Sequence, residues 1–124
     1  MQLNITEIVC VNPSAPVADD FFLIAQVDGS LPTRYPLFGV KLARAGQTIE
    51  LPSPPASQSN GLVYTFDYGV IITAFDRDYK FMTSPLNDND FLFALSVNFQ
   101  SQTATLVTEN HNGASYKITY TVTA

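Results

Sequence analysis

Apolar and polar positions alternate with a period of two along most of the chain, and no stretch carries the spacing of an amphipathic helix. Leu3, Ile5, Val9 and Val11 alternate with polar or small residues, which predicts a first strand ending at Asn12-Pro13. Residues 21–27 read as a second strand, closed by an Asp28-Gly29 turn. A third strand is expected within 33–42, with Pro36 confining part of it to an edge or a bend. A short fourth covers 48–51. The segment 52–61, rich in Pro and Ser, is a surface loop. Residues 62–66 and 70–75 read as a fifth strand kinked at Gly69. The sixth has the clearest alternation, with Phe91, Phe93, Leu95, Val97 and Phe99 on one face and Leu92, Ala94, Ser96 and Asn98 on the other. Residues 103–109 give a seventh strand. The Asn112-Gly113 hairpin signal leads into an eighth, where Tyr116, Ile118, Tyr120 and Val122 alternate with polar partners. Seven to eight short strands with regular turns predict an all-β chain, an antiparallel β-sandwich.

Composition sharpens that picture. At 124 residues, 46% hydrophobic and 14% charged, the chain is long enough for one core and too apolar for disorder, so one domain over 1–124 is expected. The net charge of −5 and six scattered basic residues argue against nucleic acid as a partner, because phosphate neutralisation needs a basic face. An anionic membrane would repel the bare chain for the same reason. Cys10, the one cysteine, is expected as a buried thiol in an apolar strand. No basic patch precedes an apolar run at the N-terminus, so a soluble, cytoplasmic chain is favoured, with export left open.

The chemistry concentrates between the fifth and sixth strands. Residues 76–90 hold Asp76, Asp78, Asp88 and Asp90, with Asn87 and Asn89 between the last two. Clustered oxygen donors held at both ends by strands suit a hard cation such as Ca²⁺, and Asp and Asn also serve to cap turns in solvated loops. Around Lys80 stand Tyr79, Phe81 and Met82. They form either a wedge for a lipid interface or a partner's groove, or a cover over the end of the core.

Three patterns occur in order: Asp19-Asp20-Phe21-Phe22-Leu23, then Ile72-Thr73-Ala74-Phe75-Asp76-Arg77-Asp78, then Asp88-Asn89-Asp90-Phe91-Leu92. Together they resemble C2 domains, eight-stranded sandwiches whose loops at one end hold Ca²⁺ and, in some members, dock on phospholipid. The resemblance implies Asp20, Asp76, Asp78 and Asp90 as metal ligands, with Asp19 and Asp88 in reserve. It implies Tyr79, Phe81 and Met82 as docking contacts on a membrane or a protein partner. The chain departs from the pattern in a longer span between Asp78 and Asp90, and in Phe93 standing where Gly is expected.

No Gly-rich phosphate loop, nucleophile elbow, zinc-binding helix motif or paired-cysteine motif is present. The single histidine, His111, falls in a hairpin turn. These features predict a non-catalytic binding module. A carbohydrate-binding module is a second reading, with Tyr68, Tyr79 or Tyr120 stacking on a sugar. A homo-oligomer or structural subunit pairing through strands at 33–42 or 115–123 is a third.

Overall fold

Every strand pair in the computed structural model is antiparallel, and residues 1–52, 61–77, 90–109 and 113–124 are described, Glu109 by its backbone alone. The strands are β1 (Gln2–Asn12), β2 (Asp19–Val27), β3 (Thr33–Tyr35), β4 (Lys41–Ala43), β5 (Gln47–Thr48), β6 (Leu62–Thr65), β7 (Gly69–Asp76), β8 (Asp90–Asn98), β9 (Ala104–Glu109) and β10 (Ser115–Thr123). One sheet runs β5-β1-β10-β9, with β6 sharing the edge of β1 that β5 occupies. The other runs β3-β2-β7-β8, with β4 beside β3 along the same edge of β2. Two short strands laid end to end thus complete one side of each sheet, and the result is an all-β sandwich.

The expected third strand is split. Thr33–Tyr35 and Lys41–Ala43 pair with different halves of β2, and the Pro36 turn separates them. The expected fifth strand is likewise two. β6 pairs with β1 in the first sheet and β7 with β2 in the second, so Asp67-Tyr68-Gly69 is a crossover between sheets. A kinked single strand would have left the edge of β1 half uncovered. Strand β10 lies between β1 and β9, so its backbone is already paired and it is no free edge for a second chain.

Register shifts in β1 and β8 reset which side chains face inward. In β1 the register shifts between Ile5 and Glu7, so Leu3, Ile5, Ile8 and Cys10 are buried and Val11 is exposed. Alternation read straight from the sequence had put Val9 and Val11 inside. In β8 the shift opposite Ala74 and Phe75 leaves Leu92 and Phe93 both buried and turns Phe91 outward. From Phe93 to Val97 the alternation is the expected one. Phe91, Phe75 and Phe22 line up on the outer face, with the Phe22 and Phe75 rings stacked at 5.4 Å.

Phe21, Phe93 and Tyr116 form the aromatic centre, each pair 5.6–6.1 Å apart, and Tyr116 contributes to it from the facing sheet. Cys10 is buried as expected, and burial pushes its thiol pKa up.

At the far pole the Asp28 carboxylate accepts hydrogen bonds from the backbone N–H groups of Asp67, Tyr68 and Gly69 at 2.7–2.9 Å. Those bonds lower the Asp28 pKa below its ordinary 3.8, the Asp67 N–H foremost. A depressed carboxylate pKa stabilises the fold above the unfolded-state value, and that contribution fades as pH falls through the folded-state value. An Asp28→Asn variant is therefore expected to show a shallower loss of stability on acidification below pH 4 than the parent, read by urea midpoints across the acid limb. Gly61 meets a different constraint, since a Cβ there would lie 2.5 Å from the Ile5 carbonyl oxygen. Gly61→Ala is expected to lower the urea midpoint by loosening β6 from β1.

Candidate functional site

The strand order brings the start of β2, the end of β7 and the start of β8 to one pole, and with them Asp19, Asp20, Asp76 and Asp90. Asp19 and Asp76 are buried, at 0% and 4% exposure. Alternation along β2 places Asp19 on the inner face with Phe21, Leu23 and Ala25. Asp76 opposes Phe21 in the register and so shares that face.

Asp19 is a hydrogen-bond hub. Its oxygens accept from the Ser14 N–H at 3.0 Å, the Ser14 hydroxyl at 2.7 Å, the Ala15 N–H at 3.0 Å and the Tyr116 hydroxyl at 2.6 Å. Burial, and then the carboxylate it donates to, push the Tyr116 phenol far above its ordinary value, so it stays a donor. Asp76 accepts from the Asp20 N–H at 2.6 Å, and its other oxygen lies 3.4 Å from the Ser14 hydroxyl. Ser14 Oγ therefore stands between two buried carboxylates and has a single proton to give, which the shorter distance assigns to Asp19. The Arg77 N–H closes the corner on the Asp20 carbonyl at 2.9 Å.

Asp20 is half-buried on the outer face of β2, opposite Leu42, while its N–H supports Asp76. Asp90 opposes Asp76 across the β7–β8 ladder and is exposed at the rim. Like charges directly opposite one another in a ladder repel. Asp78 and Asp88, with Tyr79, Phe81 and Met82, lie outside the described residues, as does His111. Of the tyrosines considered for sugar stacking, Tyr68 is 75% exposed at the other pole and Tyr120 packs partly against the core.

A calcium ion takes about six to eight oxygens at roughly 2.3–2.6 Å. Among the described residues no three acidic side chains form a group that would hold a metal ion. Asp76 accepts from the Asp20 N–H, with Asp90 opposite it in the ladder and Asp19 beyond the Ser14 hydroxyl. Asp19 does not suit a hard cation, because its oxygens are filled by N–H and O–H donors that an ion would have to displace. Ser14 is the residue that sequence reasoning missed. Its position five residues before Asp19 is a signal for a side chain closing its own loop, the turn habit of Ser and Asp.

No family model and no curated protein matches the chain. Its fold is similar to a solved chain described as "Structure of a C2 domain", at 11% identity and a TM-score of 0.50, covering 100% of this chain and 99% of that one. The architecture is thus C2-like, an all-β sandwich of two antiparallel sheets.

Tyr116→Phe removes one donor from a buried, charged acceptor. It is expected to lower stability by about 1.5–3 kcal/mol in urea unfolding, the usual worth of a hydrogen bond to a charged group. The substitution leaves the ring packing in place, so a far-UV circular dichroism spectrum unchanged from the parent should accompany it.

Proposed function

We propose that the chain is a non-catalytic binding module that docks on a phospholipid surface through its acidic pole, with calcium as the ligand that makes docking favourable. The observation that carries this reading is the crowding of carboxylate around Asp76: Asp19 across the Ser14 hydroxyl and Asp90 directly opposite in the ladder. Neighbouring carboxylates repel unless a proton or a cation intervenes. In this reading Asp76 and Asp90 hold the ion together with Asp78 and Asp88, and Asp20 flanks it from the outer face. Asp19 serves as the anchor of the Ser14 loop. Phe81 and Met82, with Tyr79 beside them, supply the apolar contact to the surface. The net charge of −5 supports the requirement for calcium, because the bare pole would be repelled by an anionic bilayer. The C2-like architecture supports a loop-borne site at one end of a rigid sandwich.

A ligand that binds only the folded state stabilises it by mass action, about 2.7 kcal/mol at a hundredfold excess over Kd. Millimolar Ca²⁺ is therefore expected to raise Tm by several degrees over EDTA, and Asp76→Asn to abolish the rise. Identical melts in Ca²⁺ and EDTA would remove calcium from the account. Co-sedimentation with phosphatidylserine vesicles is expected only with Ca²⁺, and to be lost in a Phe81→Ala, Met82→Ala double variant. A calcium-stabilised protein that stays in the supernatant would point to a protein partner instead.

A further inference from the structure

The pole remote from the acidic loops carries a different chemistry. There the ends of β2 and β8 and the start of β7 frame an open cleft of ≈ 330 Å³, at the small end of volumes that hold organic ligands (~300–1,000 Å³). Its polar lining is Gln26, Ser96 and Asn98, its apolar floor includes Ile71 and Val70, and Tyr68 forms one side. Alternation puts Gln26, Ile71 and Ser96 on the outer face of the sheet, in adjacent strands and in register. The cleft thus lies on a flat pleated surface with an aromatic ring at its end.

Tyr68 is 75% exposed. Among the described residues its hydroxyl has no hydrogen-bond partner and its ring has no aromatic neighbour. Its backbone, by contrast, is clamped. The Asp28 carboxylate holds the N–H groups of Asp67, Tyr68 and Gly69, and the Asp28 N–H bonds to the Gly69 carbonyl at 2.8 Å. Asp28 makes these bonds from φ 51°, a left-handed conformation that a non-glycine residue adopts at some expense. The turn is thus a fixed mount, and a ligand meeting Tyr68 would not have to order it first. Gly69 keeps β7 close against β8 at this point, since a Cβ would lie 3.0 Å from the Val97 carbonyl oxygen.

The lining selects a class of ligand by its charge. Among the described residues no basic side chain borders the cleft, so phosphate, sulfate and carboxylate find no counter-charge there. The one ionised group, Asp28, has its oxygens engaged by the turn. What remains is an exposed aromatic face, the Ser96 hydroxyl, the Gln26 carbonyl oxygen and the Asn98 amide N–H groups, because Gln26 Nε2 already donates to the Ser30 carbonyl at 3.1 Å and Asn98 Oδ1 already accepts from the Gln100 N–H at 2.8 Å. A neutral pyranose matches that set, because one face of its ring presents C–H groups to an aromatic side chain while its rim offers hydroxyls to amides.

We propose that this cleft is a binding site for neutral oligosaccharides, with Tyr68 as the stacking platform and Gln26, Ser96 and Asn98 as the hydroxyl contacts. The site is independent of the acidic pole and of calcium.

The test uses the full chain on a printed array of neutral and acidic oligosaccharides, with the strongest neutral hit titrated by ¹⁵N-edited NMR in Ca²⁺ and in EDTA. Binding is expected for neutral glycans, unchanged by EDTA, with shifts at Tyr68, Gly69, Ser96 and Asn98. Tyr68→Ala is expected to weaken it at least about tenfold, the loss expected for a central aromatic anchor. Its Tm should stay unchanged, since the ring is exposed, and Tyr68→Phe should retain most of the affinity. An array without neutral hits, shifts confined to the acidic pole, or a Tyr68→Ala protein that binds as the parent does would each overturn the proposal.

Discussion

The hydrogen bond from the Tyr116 hydroxyl to Asp19 joins the two sheets at the pole where the loops meet. Tyr116 belongs to one sheet and Asp19 to the other, and both are fully buried at 0% exposure. A carboxylate in that position would be costly without donors, and the structure supplies them from the phenol and from the Ser14 loop. Several features of the pole follow from that requirement. The chain after β1 must turn back so that Ser14 and Ala15 reach Asp19. The ring of Tyr116 must stand against Phe21 and Phe93 for its hydroxyl to arrive. One polar contact thereby fixes a loop, an aromatic cluster and the closing of the sandwich at that end.

The same constraint separates the acidic residues by role. Asp19 is satisfied from within the protein and acts as internal scaffolding. Asp76, adjacent in space, accepts from the Asp20 N–H and has Asp90 opposite it and Asp19 beyond the Ser14 hydroxyl. Asp20 is held in place by the same ladder yet faces the outer side of its sheet. Neighbours in sequence therefore differ in surroundings because strand alternation sends them to opposite faces. Likeness to a C2 domain extends to the architecture, a sandwich of two antiparallel sheets.

The two poles are chemically unlike. One is acidic and built around buried carboxylate. The other carries an exposed aromatic ring on a turn clamped by the Asp28 carboxylate. Asp28 and Asp19 play comparable parts at opposite ends, each gathering backbone N–H groups of a connecting turn onto one side chain. This is an economical way to hold loops in a chain with few ion-pairing residues.

Alternation of apolar and polar positions, with Gly and Pro between, was enough to establish an antiparallel sandwich, because a period of two is a local property of the strand. It also placed Phe93, Tyr116 and Ile118 in the core, while the apolar run around Cys10 marked that thiol as buried. It could not foresee the register shifts that bring Ile8 and Leu92 inside and send Val11 and Phe91 out, since a one-residue slip depends on the partner strand. Nor could it separate β6 from β7, because a crossover and a kink look alike until the pairing partners are known. The acidic pole was legible as a cluster of Asp in connecting segments. That Asp19 rather than Asp20 faces Asp76, with Ser14 between them, was decided only when two sheets met and left one face of β2 without water.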